Sequence, residues 1–438
     1  MNQSIDLSPF DKHSKKKWID GVSQELKGQN PLDLLAWTSE PEIFLSPIYF
    51  QKDLEKNINI IPSSGVNNSW LNLAPIHLSE TASNWPGLKT LNHYCDGYLI
   101  DCDNPVIDSQ SFAKLIGSKK QMFFSNPSFQ ILDELSKFDN IEPVKSLGLD
   151  PVWDFNSEPG LHEFCKKIFE KPIISNNPGM AVINIQGNRL VDAGSSIVQE
   201  LGVVLSQLVE YYQTFIELGI PKNELVNRVE ITTSVGQNYF HEIAKLRAIK
   251  ILSNTVRQAY GIKTNSPIKI NASTSIRYKS LLDAENNLIR DSTEAMACVI
   301  GGCDTLTVKP FETGTRTKHS ARVALNVSNL LKSESFMNRV IDPSAGSYYI
   351  ESLTKEIVAK GWGYFLEIEK RGGFLKTRSD GWLDEEIAKH KAGLQQQMSD
   401  NAINMIGVNK YRNEGNDAIN ASSPNDVFRL AAAFELDK

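Results

Sequence analysis

The 438 residues carry 46 lysines and arginines against 52 aspartates and glutamates, a formal net charge of −6, with 41% hydrophobic and 9% aromatic residues. That balance offers no basic field to neutralise phosphates, which excludes a general nucleic-acid binder. It is the composition of a globular chain that buries a large core without disulfides or metals, and its length suits one (β/α)8 barrel with terminal arms as well as several smaller domains.

Met1 to Phe10 shows no apolar stretch behind a basic one, so no secretory signal is expected. No apolar run approaches the roughly 18 residues that span a bilayer. The five cysteines, Cys95, Cys102, Cys165, Cys298 and Cys303, are odd in number and fit a reducing compartment; the expected location is the cytoplasm. The one basic cluster, Lys12 with Lys15, Lys16 and Lys17, sits beside Trp18 and Ile19 and reads as a solvated face.

Residues 1–60 read as an arm: a helix from about Lys15 to Leu26, stopped at Gly28, then extended segments through Pro31, Pro41 and Pro47. Periodic apolar positions are too few there for independent folding, so the arm is expected to pack on another surface, that of a partner chain.

From residue 61 to about 340, β-rich runs alternate with helical patterns. The runs are Leu71 to Leu78, Tyr98 to Asp101, Gln121 to Ser125, Ala181 to Ile185, Val229 to Ser234, Ile268 to Ser273 and Thr305 to Val308. The helices read as Asp192 to Leu218, Tyr239 to Tyr260, Glu285 to Ile300 and Lys318 to Lys332. Short strands alternating with long helices predict parallel βα units closing into a TIM-type barrel. Between Ser79 and Gly179 the strand signals are weak and turn clusters such as Pro105 intervene, so any imperfection is expected there. Residues 341–438 read as a helical extension, with helices at Glu351 to Gly372 and Leu383 to Met398, then a tail of turn signals at Gly407, Gly415 and Ser422-Ser423-Pro424.

Chemistry-bearing motifs are scarce. Gly301-Gly302 and Gly372-Gly373 fit neither the Rossmann nor the Walker spacing and read as turns. No two of the seven histidines fall within one helical turn, and His93 with Cys95 is too little to hold a metal. Cys298 and Cys303, five residues apart, do not share a helix face and read as packing. Pro343-Ser344-Ala345-Gly346-Ser347 lacks the Gly-x-Ser-x-Gly order of a nucleophile elbow.

Five segments nevertheless form a recognisable series: Asp192-Ala193-Gly194 with Gln199-Glu200-Leu201; Glu242-Ile243-Ala244-Lys245-Leu246-Arg247-Ala248; Glu294-Ala295-Met296-Ala297 with Gly301-Gly302; Arg339-Val340-Ile341-Asp342-Pro343 through Gly346-Ser347-Tyr348-Tyr349 to Glu351; and Gly407-Val408-Asn409-Lys410-Tyr411. In order and spacing they resemble the barrel domain of the methylmalonyl-CoA mutase family, and Ser46-Pro47-Ile48-Tyr49 is similar to that family's N-terminal arm. The resemblance implies a barrel that threads coenzyme A along its axis and a radical isomerisation whose hard step belongs to adenosylcobalamin.

Where catalytic family members carry Ser-Gly-Tyr-His, this chain reads Gln186-Gly187-Asn188-Arg189. Asn188 offers no aromatic wall, and Arg189 brings a permanent charge where the family uses a neutral donor. The family's Arg-x-His-x-Gln-Thr-Ser-Gly strand becomes Lys269, Asn271, Ser273, Thr274, Ser275 and Ile276; Lys269 keeps at most a point charge. Ala284-Glu285 precede Asn286-Asn287 where the family has Pro-Tyr, and no arginine occurs before Arg189 to grip phosphates. The lower-ligand signature Asp-x-His-x-x-Gly is missing too, because Asp11-Lys12-His13 is followed by Lys16 where glycine is required.

The expectation is therefore a partly degenerate barrel with no catalytic, cofactor-binding or metal residues of its own. It would be the small subunit, without a cobalamin domain, of a heterodimeric mutase. A large subunit would carry adenosylcobalamin and interconvert succinyl-CoA and methylmalonyl-CoA. The alternative is the catalytic, substrate-binding half of a split acyl-CoA mutase that recruits cobalamin on a separate chain. Neither nucleic acid nor membrane is an expected partner.

Overall fold

A computed structural model describes residues 14–40, 43–54, 67–78, 91–102, 109–138, 141–312, 317–413 and 427–435. Met1 to His13, including Lys12, lie outside the described residues, as do Pro41, Pro105, Gly415 and Ser422-Ser423-Pro424.

Eight parallel strands, each covered by helices outside and by side chains within, close into a barrel: β3 (Leu71–His77), β4 (Gly97–Asp101), β5 (Gln121–Ser125), β6 (Val144–Leu149), β7 (Ala181–Gln186), β8 (Val229–Val235), β9 (Lys269–Thr274) and β10 (Thr305–Thr307). Double coverage explains why β7 is buried at every position, including the polar Asn184 and Gln186 that face the axis. Closure comes from β10 lying beside β3, with Thr305 opposite Leu71 and Leu306 opposite Asn72. A small hairpin, β1 (Trp37–Glu40) with β2 (Ile43–Leu45), precedes the barrel.

Strand β6 is the one the sequence pattern does not announce. Its segment Val-Lys-Ser-Leu-Gly-Leu carries a glycine at φ +64°, where a Cβ would sit 1.7 Å from the Phe124 carbonyl oxygen. The pairing slips on both of its sides, between Met122 and Phe123 of β5 and between Ser146 and Leu149 toward β7. The barrel's irregularity thus falls inside the stretch expected to hold it. Gly148 lets one backbone approach another where no side chain fits.

The long helix expected over Asp192 to Leu218 is two helices, Gly187–Ala193 and Ile197–Glu217. Gly194 at φ +111° ends the first, and Ser196 with Gln199 forms a capping box that starts the second. Apolar periodicity runs across the break, which is why the pattern reads as continuous. The remaining barrel helices, Tyr239–Ala259, Glu285–Ile300 and Lys318–Ser333, fall where the pattern puts them.

Helix Tyr348–Lys370 buries Ile350, Leu353, Ile357, Phe365 and Ile368 in the same core as the barrel helices. Gly361 makes room for Leu201 and Gly202 for Tyr364, so at the crossing each helix offers a glycine to a bulky side chain of the other. The arm rests on this helix: the Phe44 amide donates to Glu356 Oε1 at 3.2 Å, and the Tyr49 and Tyr349 rings lie 5.2 Å apart. The tail is more than turns. Phe428, Leu430 and Ala431 form a second buried cluster with Met398, Met405 and Val408, and the Phe428 and Leu430 amides donate to the Asp192 and Arg277 carbonyls.

Replacing Gly148 with alanine forces both a left-handed φ and a clash with backbone. It is expected to destabilise the chain by at least about 3 kcal/mol in urea unfolding. Gly21→Ala, in an exposed helix with nothing within 4 Å of the new methyl, is expected to be neutral or stabilising.

Candidate functional site

The barrel axis is where a (β/α)8 protein of this kind would hold a ligand, and the pleat decides what faces it. From β3, β4 and β5 come Leu73, Pro75, Leu99 and Phe123; from β7 to β10 come Asn184, Gln186, Thr232, Asn271, Ser273, Thr305 and Thr307. One half of the lining is apolar and the other polar. Together they leave a cavity of about 140 Å³, also lined by Asn188 and Lys309, which follow the C-terminal ends of β7 and β10. Drug-sized ligands occupy pockets of roughly 300 Å³ upward.

The deeper polar groups satisfy one another. Thr232 Oγ1 donates to Asn184 Oδ1 at 2.8 Å, Asn184 Nδ2 to Glu230 Oε1 at 3.1 Å, and Thr305 Oγ1 to Asn271 Oδ1 at 2.9 Å. Glu230 also accepts from Ser146, and burial pushes its carboxyl up to about 7. Above this layer the Gln186 amide donates to Asp150 Oδ2 at 2.9 Å, Gln186 Nε2 to Asn126 Oδ1 at 2.8 Å, and Arg189 Nε to Gln186 Oε1 at 2.8 Å. Tyr211 donates to Asp150 Oδ1 at 2.6 Å; burial nevertheless raises the Asp150 carboxyl to about 6. Asn188 lines the cavity, and its Oδ1 meets no donor among the described residues. Arg189 is committed to its own strand end. Lys269 lies exposed at the start of β9, so the positive charge at the cavity comes from Lys309 instead. Sequence patterning gives Lys309 no distinction beyond its place just past β10. It also passes over Asp150, Glu230 and Asn126, which lie on or between strands whose roles only closure reveals.

Residues of the resembling segments make their bonds elsewhere, between strands and helices. Lys245, 1% exposed, places its ammonium 3.1 Å from Glu200 Oε2, 2.7 Å from Glu242 Oε2 and 2.7 Å from the Ser234 carbonyl oxygen. Thr233 donates to the other Glu200 oxygen. Burial alone would lower the ammonium, but the two carboxylates outweigh it and hold it above its ordinary value. Arg247 Nη2 reaches Glu351 Oε1 at 2.7 Å and Asp342 Oδ2 at 3.1 Å, tying the Tyr239–Ala259 helix to the Asp342 turn and to the helix at residue 348. Glu294 accepts from the Ser275 amide at 2.8 Å and from Gln237 Nε2 at 2.6 Å. Asn287 donates to the Ser280 and Phe311 carbonyls, and Gly407 takes a left-handed φ of +78°. The motif residues are thus structural ties.

Among the described residues, no three His, Cys, Asp or Glu side chains converge as a metal site, and no helix is long and apolar enough to cross a membrane. The five cysteines are buried and form no disulfide with one another, and burial pushes the Cys303 thiol up to about 12.

The sequence profile of the family described as methylmalonyl-CoA mutase matches residues 155–432, well over half of the chain. This chain belongs to the methylmalonyl-CoA mutase family. It is similar to the methylmalonyl-CoA mutase small subunit of Porphyromonas gingivalis, 29% identical over 93% of this chain and 71% of that one. It is also similar to the methylmalonyl-CoA mutase of Rhizobium meliloti, 34% identical over 55% of this chain and 35% of that one. The methylmalonyl-CoA mutase large subunit of Propionibacterium freudenreichii subsp. shermanii is 32% identical over 55% of this chain, which covers 34% of its length. The family match begins just after β6, so the barrel's first four strands lie before the matched mutase segment even though they complete its closure.

Lys245→Met leaves Glu200 and Glu242 buried without their cation. A loss of about 3–5 kcal/mol is expected in urea unfolding near neutral pH. Orphaned buried carboxylates have raised pKa values and are lowest in free energy when protonated. The loss is therefore expected to shrink as pH falls toward 5, and substituting both acids with glutamine should recover part of it.

Proposed function

We propose that this chain is the non-catalytic small subunit of a heterodimeric, adenosylcobalamin-dependent methylmalonyl-CoA mutase, paired with a large subunit that interconverts succinyl-CoA and methylmalonyl-CoA. The observation that carries the proposal is the barrel axis: about 140 Å³ of space, with its deeper polar groups already bonded to one another. A coenzyme A thioester is far larger. Threading it through would require opening the pairs around Glu230 and displacing Phe123 and Leu99.

Neither thioester nor corrin is matched by the residues present. Asn188 and Arg189 stand where the family's tyrosine and histidine would wall in and polarise the substrate, and Arg189 is spent on Gln186. Adenosylcobalamin, bound by the large subunit, supplies the radical chemistry; no catalytic step is assigned to residues of this chain.

What the chain contributes instead is surface. Trp37 and Phe240, 53% and 47% exposed, lie on the same flank, joined through His241 and Tyr349, whose rings neighbour theirs at 6.4 and 5.3 Å. Exposed aromatic groups in this concentration suit burial against another protein. Binding there would stabilise the large subunit by mass action.

Purified alone, the chain is expected to give no heat with methylmalonyl-CoA in isothermal titration. Coexpressed with a large subunit, it is expected to coelute as a one-to-one pair. Micromolar thioester binding by the lone chain would instead favour the catalytic half of a split mutase.

A further inference from the structure

We infer that the segment from Phe428 to Glu435 is a detachable clasp over the loop after β9, which opens as one unit while the barrel stays folded. The inference goes beyond the subunit reading and depends only on packing within this chain.

The clasp is held at both ends. The Phe428 amide donates to the Asp192 carbonyl and the Leu430 amide to the Arg277 carbonyl, each at 2.9 Å. At the far end Glu435 Oε1 accepts from the Leu281 amide at 2.8 Å, so a residue 154 positions back in the chain shares the last bond. Between the ends, Phe428, Leu430 and Ala431 fill the apolar cluster of Met398, Met405 and Val408, with the Arg277 and Lys391 cations 5.9 and 5.2 Å from the Phe428 ring.

Charge placement decides how this segment can let go. Arg429 grips Glu435 through two bonds, at 2.7 and 2.5 Å, and the two residues are only 4% and 8% exposed. Separating a buried pair leaves an uncompensated charge, which is strongly unfavourable. Here both partners ride on the clasp, so release carries the pair into water together. The cations beneath keep partners of their own: Arg277 donates to the Val191 and Ser195 carbonyls, and Lys279 lies 2.7 Å from Asp291. The groups left behind, among them the Leu281 amide and the Asp192 and Arg277 carbonyls, are neutral, and water satisfies them. The frame is built the other way. Lys245 and Glu200 lie on different helices, and parting those helices strands both charges.

Hydrogen exchange of the full-length chain, resolved to single amides by fragmentation mass spectrometry, tests this. The Phe428, Leu430 and Leu281 amides are expected to share one protection factor, at least about 100-fold below that of the helices Ile197–Glu217 and Tyr239–Ala259. Arg429→Met orphans Glu435 only while the clasp is closed. It should lower all three protection factors by at least about tenfold and leave both helices unchanged. Phe428→Leu, a milder change confined to the apolar contact, should lower the three together by a smaller factor. Three results would overturn the inference: protection graded along the tail, as when a terminus merely frays; Leu281 protected independently of Phe428 and Leu430; or a loss in Arg429→Met that the two helices share equally.

Discussion

The Lys245 ammonium is the point on which this fold turns. It joins the carboxylate of Glu200 on one helix, that of Glu242 on its own helix, and the carbonyl of Ser234 on β8. Removing an ammonium and a carboxylate from water costs several kcal/mol each, so such a cluster holds only when geometry satisfies every member. Here Thr233 and Ser234 add hydrogen bonds to the charge pairing. Arg247, two residues further along the same helix and on another face of it, extends the same logic to Glu351 and Asp342 and so fastens the helix after residue 347 to the barrel. A second buried pair, Lys279 with Asp291 at 2.7 Å, fixes the crossing from β9 to the next helix. Charged residues in these positions fix which helix lies against which strand.

Inside the barrel the constraint is of another kind. The side chains of β7 to β10 are polar but mutually bonded, those of β3 to β5 are apolar, and the two halves meet across little open space. Such an interior can be rigid without being a substrate tunnel. The buried Glu230 illustrates the cost: burial holds its carboxyl up at about 7, and Ser146 and Asn184 supply the bonds that make it tolerable. Frame and interior are thus independent, and a barrel can keep one while the other changes.

That independence decides what could be read from the sequence. The motif glutamates, lysines and arginines announce the family because the frame requires a particular partner at each position, and they stand in order along the chain. Seven barrel strands are legible because each is a short β-rich run set between turn and helix signals. Strand β6 is not, because its lysine and serine and the glycine of its bulged stretch break that run; only the approach to the Phe124 carbonyl explains the glycine. The Gly194 break is hidden by apolar periodicity on both sides of it. At the axis, Asn188 and Arg189 are visible by comparison with the family pattern, whereas Lys309, Asn184 and Thr305 gain meaning only once closure sets β10 beside β3. The clustering of Phe428 and Leu430 with Met398 is likewise a matter of distance in space between segments far apart in sequence.

The central claim is that the frame of a mutase barrel persists here around an axis that no longer accepts a thioester. Equilibrium dialysis of a radiolabelled acyl-CoA against the purified pair of this chain with a large mutase subunit tests it most directly, by counting ligand per pair. One thioester bound per heterodimer is the expected stoichiometry; two would contradict the account.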